Sequence, residues 1–360
     1  SGDIKQGVAS IVNAYKSNEI SEKRLAYSVK KILKAKYKVG LNRYKAINTN
    51  NLIQELNVIN DKLLQEEVIS NIITLVKNNN DFTPITKLDN NKIVHIQTGT
   101  DSGKTFNEYL NKYTSVDYLK ISDYKSINDL LNSLNHYNTV IIGHHQPDKT
   151  PWNKYRFSKK ELSWIDQISK MKNTILTVFA KPYALNNLSN LDSFKSIIIS
   201  YQNGHIFQQK TAQMIFGALQ FKGVVPVSIS NKIKVGEGLK TSKINRLSYG
   251  LPESENIDSE KLKKIDSIVK FAIDSSMTPG VQLLVARNSK VIYEKNYGKL
   301  RYNKDKSVNS YTRYDLASLT KMLVTLPLVM RLYDNKVISL NSTLRELLPN
   351  YKDSNKADTT

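Results

Sequence analysis

The sequence predicts an α/β fold, a doubly wound and mostly parallel three-layer sandwich, followed by an incomplete α+β unit. Three observations carry that prediction. From about Thr74 to Ile229, short β-rich runs alternate with helical segments. Several of those runs are continuously apolar instead of alternating, so helices should cover both faces of their sheet. After residue 257 the pattern changes to helix, hairpin, helix, which belongs to a different architecture.

The elements follow in order. SEKRLAYSVKKILKAKYKVG, residues 21–40, is the clearest helix: Ser21 can cap it, Leu25, Val29, Ile32 and Leu33 recur at helical spacing, and Gly40 stops it. An Asn-rich stretch then leads into a helix around Lys62–Ile73. Candidate strands are TLVKN, KIVHI (92–96), VDYLKI (116–121), TVIIG (139–143), TILTVF (174–179), KSIIIS (195–200) and VPVSI (225–229). A further helix is expected over 258–274, with Leu262, Ile265, Ile268, Val269 and Ala272 on one side. VQLLVAR and KVIYEKNYG flank Asn288-Ser289 as an antiparallel hairpin, and a helix starting near Ser318 is expected to pack next.

Composition narrows the function. At 360 residues, with 40% apolar and 24% charged residues, the chain is long enough for two or three domains with proper cores. The formal charge of +21 directs attention to nucleic acid, but the basic residues are spread along the chain without a dense arm or aromatic-interleaved motif. No specific nucleic-acid partner is therefore expected, while anionic wall or membrane surfaces remain compatible with the charge. No apolar run reaches the length of a membrane span. The absence of cysteine excludes disulfides and thiolate chemistry. The opening SGDIKQG and the ending KADTT give the expectation of an excised piece of a longer protein.

HIQTGTDSGKTF, His95 to Phe106, follows an apolar run and ends in Gly-Lys-Thr, as a phosphate-cradling loop does. The Gly-x-x-x-x-Gly-Lys-Thr spacing would need glycine at Thr98, and Gly99 lies one residue too near. A strand-to-helix turn capped by Asp101 or Ser102 explains the same letters. No cofactor is expected. His144-His145 point to opposite sides of an extended chain, and His205 follows a turn. Solvated or hydrogen-bonded loop histidines are the expectation for all three, and no metal site.

YDLASLTKM, Tyr314 to Met322, carries Ser318-Leu319-Thr320-Lys321. At a helix start, residues i and i+3 share a face, so the Lys321 amine can approach the Ser318 hydroxyl. A buried lysine of lowered pKa can take the hydroxyl's proton, and a helix N-terminus favours the developing negative charge. The order helix, Pro-Gly, hairpin ending in YG, then TRYDLASLTKM before an apolar helix, resembles the N-terminal part of serine β-lactamase-like hydrolases, over roughly residues 250–350. The resemblance implies Ser318 as acylated nucleophile and Lys321 as its proton partner, with water hydrolysing the acyl-enzyme. Two further motifs that it implies are a later Tyr-x-Asn and a Lys- or His-x-Gly on a strand. Tyr333-Asp334-Asn335 comes too early and reads as a helix stop, and no later copy precedes Thr360.

ISEKRLAYSVKKILKAKYKVGL is similar to the last helices of the barrel in family 3 glycoside hydrolases. TLVKNNN, FAKPYALNNL, IIISYQN and AQMIFGALQFKGVVPVSI resemble the sandwich domain that follows that barrel. The expected organisation is barrel helices over 1–41, a linker over 42–61, the sandwich over 62–240, a linker over 241–256 and the start of the β-lactamase-like domain over 257–360. The two resemblances imply a bifunctional bacterial envelope hydrolase. A β-N-acetylhexosaminidase acts on carbohydrate or peptidoglycan-derived substrate, and a Ser-x-x-Lys hydrolase cleaves amides or esters. This piece would pack on a barrel and a domain remainder that it lacks, and be inactive alone. The catalytic carboxylates of the glycosidase fall outside it. The alternatives are a non-catalytic scaffold and, more remotely, a nucleotide-binding protein.

Overall fold

The computed structural model describes residues 3–150, 152–229, 231–303 and 305–360. They divide into two units, 1–65 and 66–360.

In the first unit, α1 (Ile4–Lys16) starts at Asp3, whose carboxylate accepts from the Lys5 amide at 2.9 Å. Helix α2 (Glu22–Lys38) is capped by Ser21, which accepts from the Arg24 amide at 3.2 Å, and it ends before Gly40 at φ +81°. The expected cap and stop are both in place, because each is decided within one turn of chain. Neither helix has a buried residue, so Val29, Ile32 and Leu33 present an apolar stripe to solvent. A short turn of helix, α3 (Leu52–Glu55), precedes α4 (Ile59–Ile72), which runs into the second unit.

The second unit is built on six strands: β1 (Thr74–Asn78), β2 (Ile93–Gly99), β3 (Val116–Lys120), β4 (Thr139–His145), β5 (Asn173–Phe179) and β6 (Ser196–Ile199). Their order in space is β1-β6-β5-β4-β2-β3. All neighbours are parallel except β1, which pairs antiparallel with β6 at the edge. The chain winds outward from β2 to β3, then returns to β4 on the other side of β2, so the sheet is doubly wound about that point. Between strands lie α5 (Lys104–Leu110), α6 (Ile127–Ser133) and α7 (Lys159–Met171), and α8 (His205–Ile215) follows β6. One face of the sheet, carrying Val94, Ile96, Val140, Ile142, Leu176 and Val178, packs on α6 and α7 through Leu130, Trp164, Ile165 and Ile168. The other, with Ile93, Ile141, Ile175 and Ile198, packs on α4, α5 and α8 through Ile69, Phe106, Leu110 and Ile215. This is the predicted α/β sandwich, and its strands read as unbroken apolar runs because both faces are covered.

The segment 225–229 corrects one expected strand. Val225 and Ile229 are buried, but Pro226 between them has no amide to give a ladder, and the chain folds into a loop. Val225 exchanges backbone bonds with Glu237 and Gly236 at 2.8 Å each, and Leu239 bonds to Leu75 of β1 at 2.7 Å.

Strand β7 (Ser248–Tyr249), helix α9 (Ser259–Asp274), β8 (Gly280–Arg287) and β9 (Lys290–Gly298) form a second, three-stranded sheet and its helix. Strands β8 and β9 are antiparallel about Asn288 and Ser289, both with positive φ (49° and 60°), as a right-twisted two-residue hairpin requires. Asp266 of α9 fastens this sheet, accepting from the Lys295 ammonium at 2.9 Å and from the Tyr293 and Tyr297 hydroxyls at 2.7 Å. Those bonds, Lys295 first, hold its carboxyl down at about 2. A wide helical turn at Lys321–Thr325 leads into α10 (Leu326–Asp334), and α11 (Leu344–Leu347) follows. The helix beyond Ser318 was expected to pack on the hairpin, and it does not. Residues 313–337 are exposed throughout, although Leu323, Leu326, Leu328, Val329, Met330 and Leu332 give the helix a broad apolar face beside Arg331 and Asp334. A face of that width ordinarily packs on a core, and here it is open to solvent.

The sandwich buries His95, His144 and His145 completely. Burial of the imidazoles pushes His144 down to about 4 and His145 to about 3, and His95 well below its usual range. Each therefore binds a proton more readily in the unfolded chain. The stability they permit is intact above the ordinary histidine value of 6.5 and is lost as pH falls from there towards about 3. The unfolding free energy from urea titrations should fall steadily from neutral pH to about pH 5, with a slope near 1.4 kcal/mol per pH unit for each proton taken up on unfolding, and the midpoint with it. His95→Phe should flatten the slope, and a midpoint that does not move would show the imidazoles to be solvated.

Candidate active site

Ser318 sits on a tight turn that its own neighbours build. The Asp315 carboxylate accepts from the Ala317 amide at 2.9 Å, and Ala317 adopts a left-handed φ of +44°. The Leu319, Thr320 and Lys321 amides then reach back to the carbonyls of Leu316, Ala317 and Ser318 at 2.9–3.1 Å. This spiral carries Lys321 over Ser318, and its Nζ donates to the Ser318 hydroxyl at 3.1 Å. The i, i+3 spacing thus brings the two groups together. To take the hydroxyl's proton the amine must first be neutral, and burial is the means by which a protein achieves that. Both side chains are exposed here, so the geometry is present without the dry surroundings that would activate it. Asn335 caps the C-terminus of α10, its amide bonded to Arg331 at 3.0 Å, and Lys336 follows with φ +60°. Tyr333-Asp334-Asn335 is accordingly a helix stop.

The glycine loop after β2 has a different occupation from the one its letters suggest. Its amides are taken by the protein itself: Gly99 by the Glu161 carboxylate at 2.6 Å, Asp101 by the His145 carbonyl at 3.2 Å, and Gly103 by the Gln97 side chain at 2.9 Å. The Phe106 amide in the first turn of α5 is taken by Gln208 at 2.9 Å. No convergent set of free donors is left to hold a phosphate. Gly103, and neither Asp101 nor Ser102, is the cap residue of α5, although the Ser102 hydroxyl accepts from the Lys104 amide at 3.3 Å. Gly99 is required where it stands: it has φ +83°, and a Cβ there would lie 2.0 Å from the His145 carbonyl.

The histidine pair also differs from its expected loop setting. His144 and His145 are the last two residues of β4 and fully buried, since the sheet extends two residues further than its apolar run. His144 accepts from Thr98 through Nδ1 (2.9 Å) and donates from Nε2 to the Tyr155 carbonyl (3.1 Å), with its ring stacked on Phe157. His145 stacks on Phe179 and donates from Nδ1 to Asn203 at 2.7 Å. His205 opens α8, with Nδ1 2.8 Å from the Thr105 hydroxyl. The two neighbours thus serve opposite faces of the sheet. Among the described residues, no group of three or more metal-binding side chains converges.

Buried His95 and the Glu161 carboxylate, which ties Gly99 to the cap of α7 at Ser158, escaped the sequence reading. Only the polar letter inside the otherwise apolar IVHI could have marked His95.

Residues 265–360 match the Beta-lactamase family. Within this β-lactamase-like segment lie the greater part of α9, the hairpin, Ser318 and Lys321. Over 96 residues, 27% of this chain, it is 26% identical to "Protein flp" of Staphylococcus aureus (strain NCTC 8325 / PS 47), covering 19% of that protein. A Salmonella agona (strain SL483) protein, provisionally named D-alanyl-D-alanine carboxypeptidase, is 27% identical over 114 residues, 30% of this chain and 26% of its own length. The chain therefore spans about a fifth to a quarter of these relatives. Among solved structures, a glycoside hydrolase family 3 β-N-acetylglucosaminidase from Paenibacillus sp. str. FPU-7 aligns with 63% of this chain and 43% of its own, at 17% identity and a TM-score of 0.45.

Because the loop amides are already bonded, titration with magnesium-ATP should give no heat of binding, with or without Lys104→Ala. Saturable binding that Lys104→Ala abolishes would restore a nucleotide role.

Proposed function

We propose that this chain is part of a bifunctional envelope hydrolase, in which a glycosidase of family 3 type is joined to a Ser-x-x-Lys acyl-serine hydrolase. The observation that carries the acyl half is the 3.1 Å bond between Lys321 and Ser318, inside a segment that matches the Beta-lactamase family. In the reaction, Ser318 Oγ attacks an amide or ester carbonyl while Lys321, once neutral, accepts the hydroxyl proton and returns it to the leaving nitrogen or oxygen. Water then hydrolyses the acyl-serine. The relative named as a carboxypeptidase favours a peptide substrate over a β-lactam. The glycosidase half is supported by the resemblance of the sandwich sequence to family 3 enzymes. The β-N-acetylhexosaminidase specificity and a periplasmic, envelope or extracellular location are parts of the same proposal.

The exposure of Ser318, Lys321 and the whole of α10 supports a second reading for residues 1–360 taken alone, that of a non-catalytic scaffold. An exposed Ser-Lys pair lacks the desolvation its chemistry needs. Expressed from its complete reading frame, the protein should take up a fluorophosphonate as one covalent adduct by intact mass. Ser318→Ala should remove the adduct, and Lys321→Ala should slow its formation by about 10²–10⁴-fold. Residues 1–360 alone should turn over neither a chromogenic cephalosporin nor an ester. An adduct that persists in Ser318→Ala refutes the assignment.

A further inference from the structure

The second unit contains a cleft of about 900 Å³ where α5, with Glu66 of α4 and Gln209 of α8, faces β7 and β9. Its volume lies in the upper part of the range of about 300–1,000 Å³ that small-molecule sites occupy. Two tyrosine rings stand at one end, Tyr109 from α5 and Tyr249 from β7, with centroids 5.8 Å apart and planes at 73°. Around them the charges are paired: Lys112 Nζ lies 2.6 Å from Glu294 and 5.3 Å over the Tyr249 ring, and Lys210 Nζ lies 2.7 Å from Glu66. Asn296 of β9 and Glu108 of α5 line the wall as exposed polar groups.

On a chain of net charge +21 this local balance is informative. An anion site would display unpaired lysines, and a cation site several unpaired carboxylates; here Lys112 with Glu294 and Lys210 with Glu66 neutralise one another, and among the described residues exposed Glu108 is the one lining carboxylate without an ion pair. What the cleft offers instead is aromatic surface beside a dense mixture of fixed donors and acceptors. Burial pushes the Tyr109 hydroxyl up to about 12, with the Glu66, Glu294 and Glu108 carboxylates adding to it, and burial with Glu294 does the same in direction for Tyr249. Both phenols therefore stay protonated and able to donate at neutral pH.

The geometry points to a binding site for a neutral oligosaccharide. The C–H face of a pyranose ring lies against a tyrosine face, while its hydroxyls, each both donor and acceptor, exchange bonds with carboxylate, ammonium, amide and phenol groups. Both the sandwich and the hairpin sheet contribute walls, so bound sugar would bridge the two sheets of this unit. The site does not depend on acylation at Ser318, and it is tested in the Ser318→Ala protein so that the two proposals fail separately.

Isothermal titration and ¹H–¹⁵N spectra with N,N′,N″-triacetylchitotriose, with cellotriose and with an anionic heparin-derived oligosaccharide decide the matter. The neutral sugars should bind and shift the Tyr249, Gly250 and Asn296 amides. Tyr249→Ala should weaken them by about tenfold or more, and Glu108→Gln, an exposed change that leaves the packing untouched, by a few-fold. Preference for the acetylated trisaccharide would assign an amino-sugar ligand, and equal binding a general glycan ligand. Absence of neutral-sugar binding at concentrations up to about 10 mM, tighter binding of the heparin fragment, or affinity unchanged by Glu108→Gln would each overturn the proposal.

Discussion

The complete burial of β4 is the constraint on which the sandwich depends. All seven residues from Thr139 to His145 are inaccessible, with β2 and β5 in register on either side and helices over both faces. A strand so placed can satisfy its backbone only through its neighbours, and any polar side chain it carries must be bonded inside the protein. The first half of β4 meets the condition with Val140, Ile141 and Ile142. The second half does not, because two imidazoles follow, and the local architecture is arranged around them. His144 is closed off by Thr98, Tyr155 and Phe157. His145 occupies the opposite face against Phe179 and Asn203, and its ring fills the space where side chains at positions 103 and 143 would stand. A Cβ at Gly103 or Gly143 would lie 2.5 or 2.4 Å from His145 Nε2.

This has a functional consequence. In open α/β sheets, ligands bind beyond the carboxyl ends of the strands where the winding reverses, which here is the crevice between β2 and β4. That crevice carries the glycine loop, yet the residues around it occupy it. Glu161, Gln97, Gln208 and the His145 carbonyl take the amides that a phosphate would need. The switch point has become a packed joint. Open, polar and aromatic surface lies instead along α5 and β9, on the side facing the hairpin sheet.

What was legible in the sequence was local. Ser21, Gly40, Asn288-Ser289 and the apolar runs of β2, β4, β5 and β6 each decide their conformation within a few residues, and each element stands where its letters placed it. VPVSI misled because propensity and apolarity favour a strand while one missing amide, at Pro226, prevents pairing. The buried histidines misled for the reverse reason. Their burial comes from β2, β5 and loops as distant as Asn203, and no window around HH contains that information. Charge pairing across the cleft, such as Lys112 with Glu294, separates residues by most of the unit's length and leaves no trace in either neighbourhood.

Ser318 and Lys321 show how far local coding reaches in building a candidate site. Seven residues, Asp315 to Lys321, suffice to fix the turn, the left-handed Ala317 and the 3.1 Å approach of amine to hydroxyl. They cannot fix the dielectric around the amine, which depends on what packs over Leu319, Met322 and Leu323. A helix with so broad an apolar face is costly to leave in water, at about 25 cal/mol for each Å² of apolar surface. The same burial that would stabilise α10 would strip water from Lys321. In the proposed acyl-serine role, folding energy and nucleophile activation would be coupled at one helix, because burial that makes the helix core also dries the amine.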